Sequence, residues 1–469
     1  TVSGDGKAVS YTLTDEWKPF FKNSVGLTGV TDENVNDKAN DYVSKLKDST
    51  LVAFATKASN WAQTKANNIT ADATATVSAD ASNGKYTATF TGLGYGYYVV
   101  AVPGATLANA KSQYATLVSV HSTKVDADIK GDLPTVDKKV QVDGTGKDAT
   151  DAKIGDTLTF TLTSTIPDMS AYDTYTFNFK DTLSKGLTFG QVKSVKVENV
   201  TLTENTDYTV TTPTASNNNT LTVAMKDFKT KQQANAGKKI TVTYTATLNE
   251  NAVVGGAGNV NSAKIQYSNN PSTNGTGESE PSKVRVFTYG FTVDKYTGDQ
   301  YTDAATRLAG AEFTLAHKDG SAISFVQVSA GSATANAVYR VAKAGETGTT
   351  TITTPANGKV VFEGLKNGEY TLTETEAPAG YNKLASAIGV KVNGQNNGTD
   401  TTNATVTITY NNDNGNDYNQ TASNGVIPVQ NKSGAILPGT GGMGTIAFTV
   451  IGVLVIALGV AWTLKRKNA

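Results

Sequence analysis

Six polar side chains stand in register with the apolar residues of predicted strands, and their types could support covalent chemistry. Residues two apart in a strand share a face. Lys138, for example, is in phase with Val136 and Val140. The same alternation predicts that six polar side chains point into a protein core: Lys138, Asp181, Asn261, Lys295, Glu374 and Asn431. Because a buried lysine or carboxylate is strongly destabilising unless it is paired, these positions require a chemical explanation.

Burial would make each lysine a nucleophile and each acid a proton carrier. An apolar site favours the neutral amine and the protonated carboxyl group. The protonated acid can donate a hydrogen bond to the asparagine carboxamide oxygen and can shuttle protons while ammonia leaves. Folding holds the amine and the amide in contact, and this proximity supplies most of the acceleration. The expected product is a Lys–Asn isopeptide cross-link that forms once, and the alternative is a buried ion pair in each of the two regions.

The segments that must position these side chains are mostly strands. Thr, Val, Tyr, Asn and Gly dominate the composition, and helix formers are sparse after the first part of the chain. Strand-like alternation runs from Gly131 to about Val286, and a further β segment runs from about Thr288 to Lys432. The pattern F-x-G-L-x-x-G-x-Y-x-[VL] begins at Phe90 and again at Phe362. This repeat predicts that the first and last of these domains are related β-sandwiches.

We therefore predict a mainly β protein with three sandwich-like domains, the first of which carries helical insertions, and a C-terminal transmembrane helix. The three domains are predicted at residues 1–130, 131–287 and 288–432. They are followed by a linker with a short motif at 433–442, a membrane span at 443–464 and a basic tail at 465–469.

Composition excludes several classes of function. Lys plus Arg and Asp plus Glu each total 41, and this balance argues against a nucleic-acid partner. The chain has no cysteine and only two histidines, His121 and His317, far apart in sequence. Disulfides, thiol nucleophiles and cysteine-ligated zinc are thereby excluded, and a histidine-based triad is disfavoured. We predict neither a metal site nor a cofactor, and no turnover enzyme.

The C-terminus combines a short motif, an apolar segment and a basic tail. No charged residue lies between Met443 and Leu464, a length sufficient to cross a hydrocarbon core of about 30 Å. The cations Lys465, Arg466 and Lys467 follow at once, and the positive-inside rule places them in the cytoplasm. An exported chain needs a signal peptide, and the sequence shows none and does not begin with Met. We expect its N-terminus to be processed or truncated.

The motif that precedes the span resembles a cell-wall sorting signal. Its residues are Leu437, Pro438, Gly439, Thr440 and Gly441. In this order before a hydrophobic span and a basic tail, they resemble the LPxTG signal of Gram-positive surface proteins. The resemblance implies that a sortase cleaves between Thr440 and Gly441 and transfers the Thr440 acyl group to an amine. The span would hold the motif beside the enzyme and raise its effective concentration.

A second resemblance names the family. The segment that begins at Tyr370, Y-T-L-T-E-T-E-A-P-A-G-Y, looks like the E-box of collagen-adhesin B-type domains. The chain resembles the sortase-assembled, isopeptide-forming major pilins of Gram-positive bacteria, with a collagen-adhesin A-like second domain, a B-like third domain and immunoglobulin-like sandwiches. The resemblance assigns the residues to two bonds, with one acid as the proton shuttle of each: Lys138, Asp181 and Asn261 for one, and Lys295, Glu374 and Asn431 for the other.

The family also implies a surface lysine that accepts Thr440 of another subunit. Lys130 lies where the family carries a YPKN-like motif, although the residues around it differ, and Lys124 is its nearest rival. The resemblance implies a structural shaft subunit of a covalent, wall-anchored pilus that supports adhesion. Its partners would be identical pilin subunits, pilus and housekeeping sortases, minor pilins, peptidoglycan and a host matrix protein or glycan. The alternative is a monomeric wall-anchored adhesin, or a tip or basal pilin, that binds a host protein or glycan.

Overall fold

The protein is mainly β, as the sequence predicts. We describe it from a computed structural model of the chain, and the description covers the following residues: 11–67, 69–76, 78–80, 85–101, 115–127, 133–169, 172–269, 275–303, 305–395, 404–412 and 417–434. Three regions follow one another along this part of the chain: a helical region with two small sheets, and then two regions that each contain a pair of larger sheets.

The first region is built on helices. Its elements are α1 (Lys18–Asn23), α2 (Val35–Ser44), α3 (Asp48–Gln63), β1 (Ser78–Asp80), β2 (Lys85–Thr87), β3 (Gly96–Ala101) and β4 (Ala115–Val120), with 3₁₀ turns at Asp15–Trp17 and Lys65–Asn67. An aromatic cluster of Phe20, Phe21 and Phe54 forms the core between the helices, and α3 packs on β3 and β4. Over its described residues this region has two separate two-stranded sheets, and the apolar side chains of its core are mostly spaced along helices.

The second region contains two sheets. Its elements are β5 (Asp137–Val142), β6 (Thr145–Lys147), β7 (Ala149–Asp151), β8 (Thr157–Thr165), β9 (Phe177–Leu183), β10 (Leu187–Val197), β11 (Val200–Thr201), β12 (Tyr208–Thr211), β13 (Thr220–Met225), α4 (Phe228–Gln232), β14 (Lys239–Leu248), β15 (Asn259–Ser268), β16 (Thr276–Glu278) and β17 (Ser282–Phe287). One sheet has the order β11-β10-β14-β8-β5-β6, and the other has the order β12-β13-β9-β15-β17-β7 with β16 beside β15. Alternate residues of β8, β9 and β14 are buried, so the two sheets enclose a common core.

The third region also contains two sheets. Its strands are β18 (Tyr289–Thr297), β19 (Thr306–Arg307), β20 (Glu312–His317), β21 (Phe325–Ser329), β22 (Ala337–Val341), β23 (Ile352–Thr353), β24 (Lys359–Leu365), β25 (Gly368–Glu376), β26 (Ile388–Gln395), β27 (Thr405–Asn411), β28 (Gln420–Thr421) and β29 (Val426–Gln430). One sheet has the order β19-β18-β24-β22-β21, and the other has the order β23-β20-β25-β26-β27-β28. The last strand, β29, pairs in parallel with the first, β18, from Thr292 opposite Val426 to Tyr296 opposite Gln430.

The second and third regions are joined by direct contacts. The Ile154 amide donates a hydrogen bond to the Gly364 carbonyl at 3.0 Å, and the Asn367 amide donates to Asp151 Oδ2 at 2.7 Å. Gly364 has a φ of +84°, and a β-carbon there would lie 2.7 Å from Ile154 Cδ1. Their buried apolar residues form one continuous cluster, so this joint is packed like a core.

The predicted membrane span, residues 443–464, lies outside the described residues. Across the part of the chain that the structure describes, none of the helices has the length and apolar character needed to cross a membrane.

Candidate functional site: two buried sets of lysine, acid and asparagine

The structure brings Lys138, Asp181 and Asn261 together in the core of the second region. Lys138 lies on β5 in one sheet, and Asp181 and Asn261 lie on the adjacent strands β9 and β15 of the other. None of the three side chains has solvent exposure. In β9 and β15 the antiparallel register sets Asp181 opposite Ala263, so Asp181 and Asn261 point to the same face. The strand parity used in the sequence analysis therefore identifies residues that are buried.

A tyrosine hydroxyl connects these three side chains. Lys138 Nζ donates hydrogen bonds to Asp181 Oδ2 and, at 2.9 Å, to the hydroxyl of Tyr244 on β14. That hydroxyl donates to Asp181 Oδ2 at 2.7 Å and accepts from Asn261 Nδ2 at 2.6 Å. The amine and the amide that would react are thus held through a common oxygen atom.

The surroundings of Lys138 favour its neutral form. Burial lowers the pKa of its ammonium group to about 8, although Asp181 opposes this change. The rings of Phe160 and Tyr244 lie 5.2 Å from Nζ, so the amine has aromatic neighbours and not water. A pKa near 8 leaves about one tenth of the amine neutral and nucleophilic at pH 7, far more than an ordinary lysine would have.

The third region holds an equivalent set. Lys295 lies on β18, Glu374 on β25 and Asn431 directly after β29, and all three are buried. Because β29 pairs in parallel with β18, Lys295 is opposite Val429, and Asn431 follows two residues later on the same face. Lys295 Nζ lies 3.0 Å from Glu374 Oε1, and Asn431 Nδ2 donates to Glu374 Oε2 at 3.0 Å. Burial lowers the pKa of Lys295 to about 8, with Glu374 opposing the change.

The loop after the E-box covers this second set. The Leu384 amide donates a hydrogen bond to Glu374 Oε2 at 2.8 Å, and Asn431 Nδ2 also donates to the Asn382 carbonyl at 2.9 Å. The Asn382 amide donates in turn to the Lys432 carbonyl at 3.0 Å. The acid and the amide are therefore fixed by backbone groups as well as by each other, and water is kept out.

Both asparagine amides retain a carbonyl oxygen with no hydrogen-bond partner among the described residues. These atoms are Asn261 Oδ1 and Asn431 Oδ1, and both are buried. A buried unpaired carbonyl oxygen is unfavourable, and a protonated carboxyl group that donated to it would polarise the amide carbon. Each set thus brings an amine, an acid and an amide together in a buried site, the groups that attack on the amide carbon and loss of ammonia require.

Sequence reasoning did not identify two polar groups near these sets. Tyr244 belongs to an alternating strand and was predicted only as part of it, although its inward parity was visible in the sequence. Asp294 directly precedes Lys295 on β18 and so lies on the opposite face, yet it is also fully buried. Its charge is compensated there, since Arg307 Nε lies 2.7 Å from its Oδ1 and the Tyr301 hydroxyl donates to its Oδ2 at 2.8 Å. A strand that is covered on both faces gives no parity signal at such a position.

The remaining predicted site residues lie outside the described residues. These are the polymerisation lysine, the residues of the sorting motif and the basic tail: Lys130, Leu437, Pro438, Gly439, Thr440, Gly441, Lys465, Arg466 and Lys467. Lys124, the rival of Lys130, is described, and its exposed Nζ lies 3.3 Å from Asp126 Oδ2.

Three family models match successive parts of the chain. The model of the Gram-positive pilin backbone subunit 2, Cna-B-like domain, matches residues 154–271. The model of the SpaA prealbumin-like fold domain matches residues 299–407, and the LPXTG cell wall anchor motif matches residues 429–469. The first description names a Cna-B-like domain in the region where the sequence analysis predicted the collagen-adhesin A type. The anchor match includes the predicted sorting motif, span and tail.

A curated relative and several solved structures are also similar to the chain. The trypsin-resistant surface T6 protein of Streptococcus pyogenes is 25% identical over 279 residues, which cover 54% of this chain and 44% of the relative. The T6 backbone pilin structure from serotype M6 Streptococcus pyogenes has 18% identity and a TM-score of 0.47, and covers 82% of this chain and 89% of its own. A 35 kDa C-terminal fragment of the major pilin GBS80 of Streptococcus agalactiae has 23% identity and a TM-score of 0.46, and covers 64% of this chain and 100% of its own.

These matches confirm the resemblance to Gram-positive pilins that the sequence predicts. The two pilin domain models and the anchor motif occur in the order that the sequence analysis expected, with the anchor last. The anchor motif assigns the chain to the cell wall and surface of a Gram-positive bacterium. The chain thus matches a Gram-positive pilin backbone model, a SpaA prealbumin-like model and the LPXTG cell wall anchor motif in this order, and it is similar to Gram-positive pilins.

Proposed function

We propose that this chain is the shaft subunit of a covalently polymerised, wall-anchored pilus, and that two isopeptide bonds that it forms itself stabilise each subunit. The observation that carries the proposal is the pair of buried sets, in each of which a lysine with a pKa lowered to about 8 lies with an acid and an asparagine amide. Such groups are too costly to bury for packing alone, and two copies in successive domains favour a shared chemical purpose.

Each bond forms by exchange of one amine for another at the amide carbon. The lysine lone pair attacks Cγ of asparagine, the C–Nδ2 bond breaks, and Nδ2 leaves as ammonia. Nζ gives up one proton to the carboxylate, and the carboxyl group supplies one to Nδ2, so the acid carries protons and is not consumed. The reaction needs no cofactor, and each set reacts once. The chain thus modifies itself and is not a turnover enzyme.

The mass of the intact chain tests this chemistry. Full-length chain produced in a host without sortase is expected to be lighter than its sequence mass by about 34 Da, since each bond releases one ammonia of about 17 Da. Asp181→Ala and Glu374→Ala should each restore about half of this deficit. Lys139→Ala is the matched control, because Lys139 lies beside Lys138 but forms ion pairs at the surface. An unmodified wild-type mass would contradict the proposal and leave only buried ion pairs.

The polymer would be joined at the subunit ends. We infer that a pilus sortase cleaves between Thr440 and Gly441 and that Lys130 of the next subunit receives the Thr440 acyl group. A housekeeping sortase would then join the finished polymer to peptidoglycan, with minor pilins as further partners. The trypsin resistance in the name of the Streptococcus pyogenes relative is a property that two buried cross-links would also give this chain.

Denaturing gels of cell-wall extracts test the shaft role. Wild-type cells should give a covalent ladder that is lost on Lys130→Ala and retained on Lys124→Ala, the nearby exposed control. A single band from unmodified cells would instead support the monomeric adhesin that binds a host protein or glycan. A ladder that survives Lys130→Ala would show that another lysine receives the Thr440 acyl group.

A further inference from the structure

The hydroxyl of Tyr244 occupies the centre of the set in the second region. It lies 2.9 Å from Lys138 Nζ, 2.7 Å from Asp181 Oδ2 and 2.6 Å from Asn261 Nδ2. Two of these three atoms are the nitrogens that would exchange at the amide carbon. Tyr244 has no solvent exposure, and its ring stacks on Phe160 with centroids 5.3 Å apart, so the hydroxyl has little freedom to leave this position.

The third region shows why a tyrosine is needed in the second. There the carboxylate of Glu374 contacts both reacting groups itself, with Lys295 Nζ and Asn431 Nδ2 each 3.0 Å from one of its oxygens. Asp181 is shorter by one methylene. Among the described contacts Asp181 bonds Lys138 and Tyr244, and the bond to Asn261 is made by the tyrosine hydroxyl. The hydroxyl therefore spans the gap that the shorter acid leaves.

We propose that Tyr244 is a catalytic residue of the second-region cross-link, which relays a proton from Asp181 to the departing nitrogen of Asn261. This inference rests on the isopeptide chemistry proposed above. Lys138 first transfers a proton to the Asp181 carboxylate, and its neutral amine attacks Asn261 Cγ. Tyr244 then gives its proton to Nδ2 and takes one from the Asp181 carboxyl group, and ammonia leaves. The new amide loses its extra proton to Asp181, so the tyrosine ends unchanged.

The electrostatics suit a relay and not a base. Burial raises the pKa of the Tyr244 hydroxyl well above its ordinary value, and the neighbouring Asp181 raises it further. The phenolate is thus strongly disfavoured, so the hydroxyl always carries a proton and can only exchange one for another. Before the reaction its hydrogen points to Asp181 and its oxygen accepts bonds from Nζ and Nδ2. Once Asp181 holds the lysine proton and the amide carbon is tetrahedral, the Asp181 carboxyl group donates to the hydroxyl oxygen, and the hydroxyl turns to donate to Nδ2.

Removal of this one hydroxyl tests the proposal in the full chain. Samples are taken at intervals after a short pulse of synthesis, and intact mass and peptide mapping follow each ammonia loss. Loss of a proton relay should slow the second-region cross-link in Tyr244→Phe by about 100-fold, while the Lys295–Asn431 link forms at the wild-type rate. Tyr175→Phe is the matched control, since its buried hydroxyl has no hydrogen-bond partner among the described residues. A Tyr244→Phe chain that forms both links at wild-type rates overturns the inference.

A second variant separates a relay from a packing role. In Asp181→Glu/Tyr244→Phe the longer acid should reach Asn261 directly, as Glu374 reaches Asn431, and the link should form at least tenfold faster than in Tyr244→Phe. A double variant that is no faster overturns the bridging argument. Failure of the underlying chemistry is distinguishable, because it would appear as a wild-type chain without any ammonia loss at Lys138.

Discussion

Asn261→Ala should lower the stability of the second region by an amount that can be calculated from the position of the cross-link. The proposed bond closes a loop of about 120 residues, and constraint of the unfolded chain by such a loop is worth about 5 kcal/mol. The variant keeps Lys138 and Asp181 as a buried ion pair, so it removes the bond without leaving a lone charge. Loss of the asparagine's own hydrogen bond adds about 1 kcal/mol.

Differential scanning calorimetry measures this loss. For a domain of this size, about 5 kcal/mol corresponds to a fall in melting temperature of roughly 10–20 °C. Asn178→Ala is the matched control, because Asn178 lies on β9 of the same sheet and, among the described contacts, its amide bonds the half-buried Gln266 at 3.0 Å. The control should melt within a few degrees of wild type.

Two results would refute the reasoning. A melting temperature for Asn261→Ala within about 5 °C of the wild-type value would show that the loop constraint does not stabilise the fold. An Asn178→Ala chain that loses as much stability as Asn261→Ala would show that any amide of this sheet matters equally. Either result would stand only with a wild-type chain whose mass shows the expected ammonia loss.

Three further outcomes follow from the same contacts. Asp181→Ala should be less stable than Asn261→Ala by about 3–5 kcal/mol in denaturant unfolding, since it leaves Lys138 buried without its counter-charge. In Asn261→Ala, Lys138 remains a free amine, and burial lowers its pKa from 10.5 to about 8. Between these pH values the unfolded chain binds more protons than the folded chain, so the stability of the variant rises with pH. Its melting temperature should therefore approach the wild-type value as the pH rises from 8 to 10.5. Gly364→Ala should lower stability by about 1–3 kcal/mol and speed amide hydrogen exchange at Ile154. The cause is that residue 364 has a positive φ and that its new β-carbon would collide with the Ile154 side chain. Unchanged exchange at Ile154 would refute tight packing between the second and third regions.

Strand parity explains how much of the site could be predicted from the sequence. Lys138 and Lys295 each share a face with valines, and this pattern alone predicts that they are buried. The pairing of each lysine with its acid depends on which strands face one another across the core, which parity does not contain. The family resemblance supplied those pairs, and the structure brings the same residues together. Tyr244 was missed for the same reason, since two of its three hydrogen-bond partners, Asp181 and Asn261, lie on the opposite sheet.

The N-terminal region shows how little of a domain a short repeated motif specifies. The repeat at Phe90 predicted a sandwich like that of the third region, but the described residues there form short paired strands next to three helices. Its aromatic residues Phe20, Phe21 and Phe54 lie on α1 and α3 and bury one another. A short glycine-rich motif fixes a turn between two strands, whereas the number of strands that assemble around that turn depends on the longer chain.

The parallel pairing of β18 with β29 determines how the third region would respond to tension along a filament. A pull applied to the start of β18 and to the end of β29 moves two parallel neighbours past each other. The load then falls on every hydrogen bond of the ladder from Thr292 to Tyr296 at the same time, so these bonds must break together and not one after another. Lys295 lies within this ladder, so a bond from it to Asn431 would carry the load through a few residues at the two ends. The long segment between β18 and β29 would then experience no force at all.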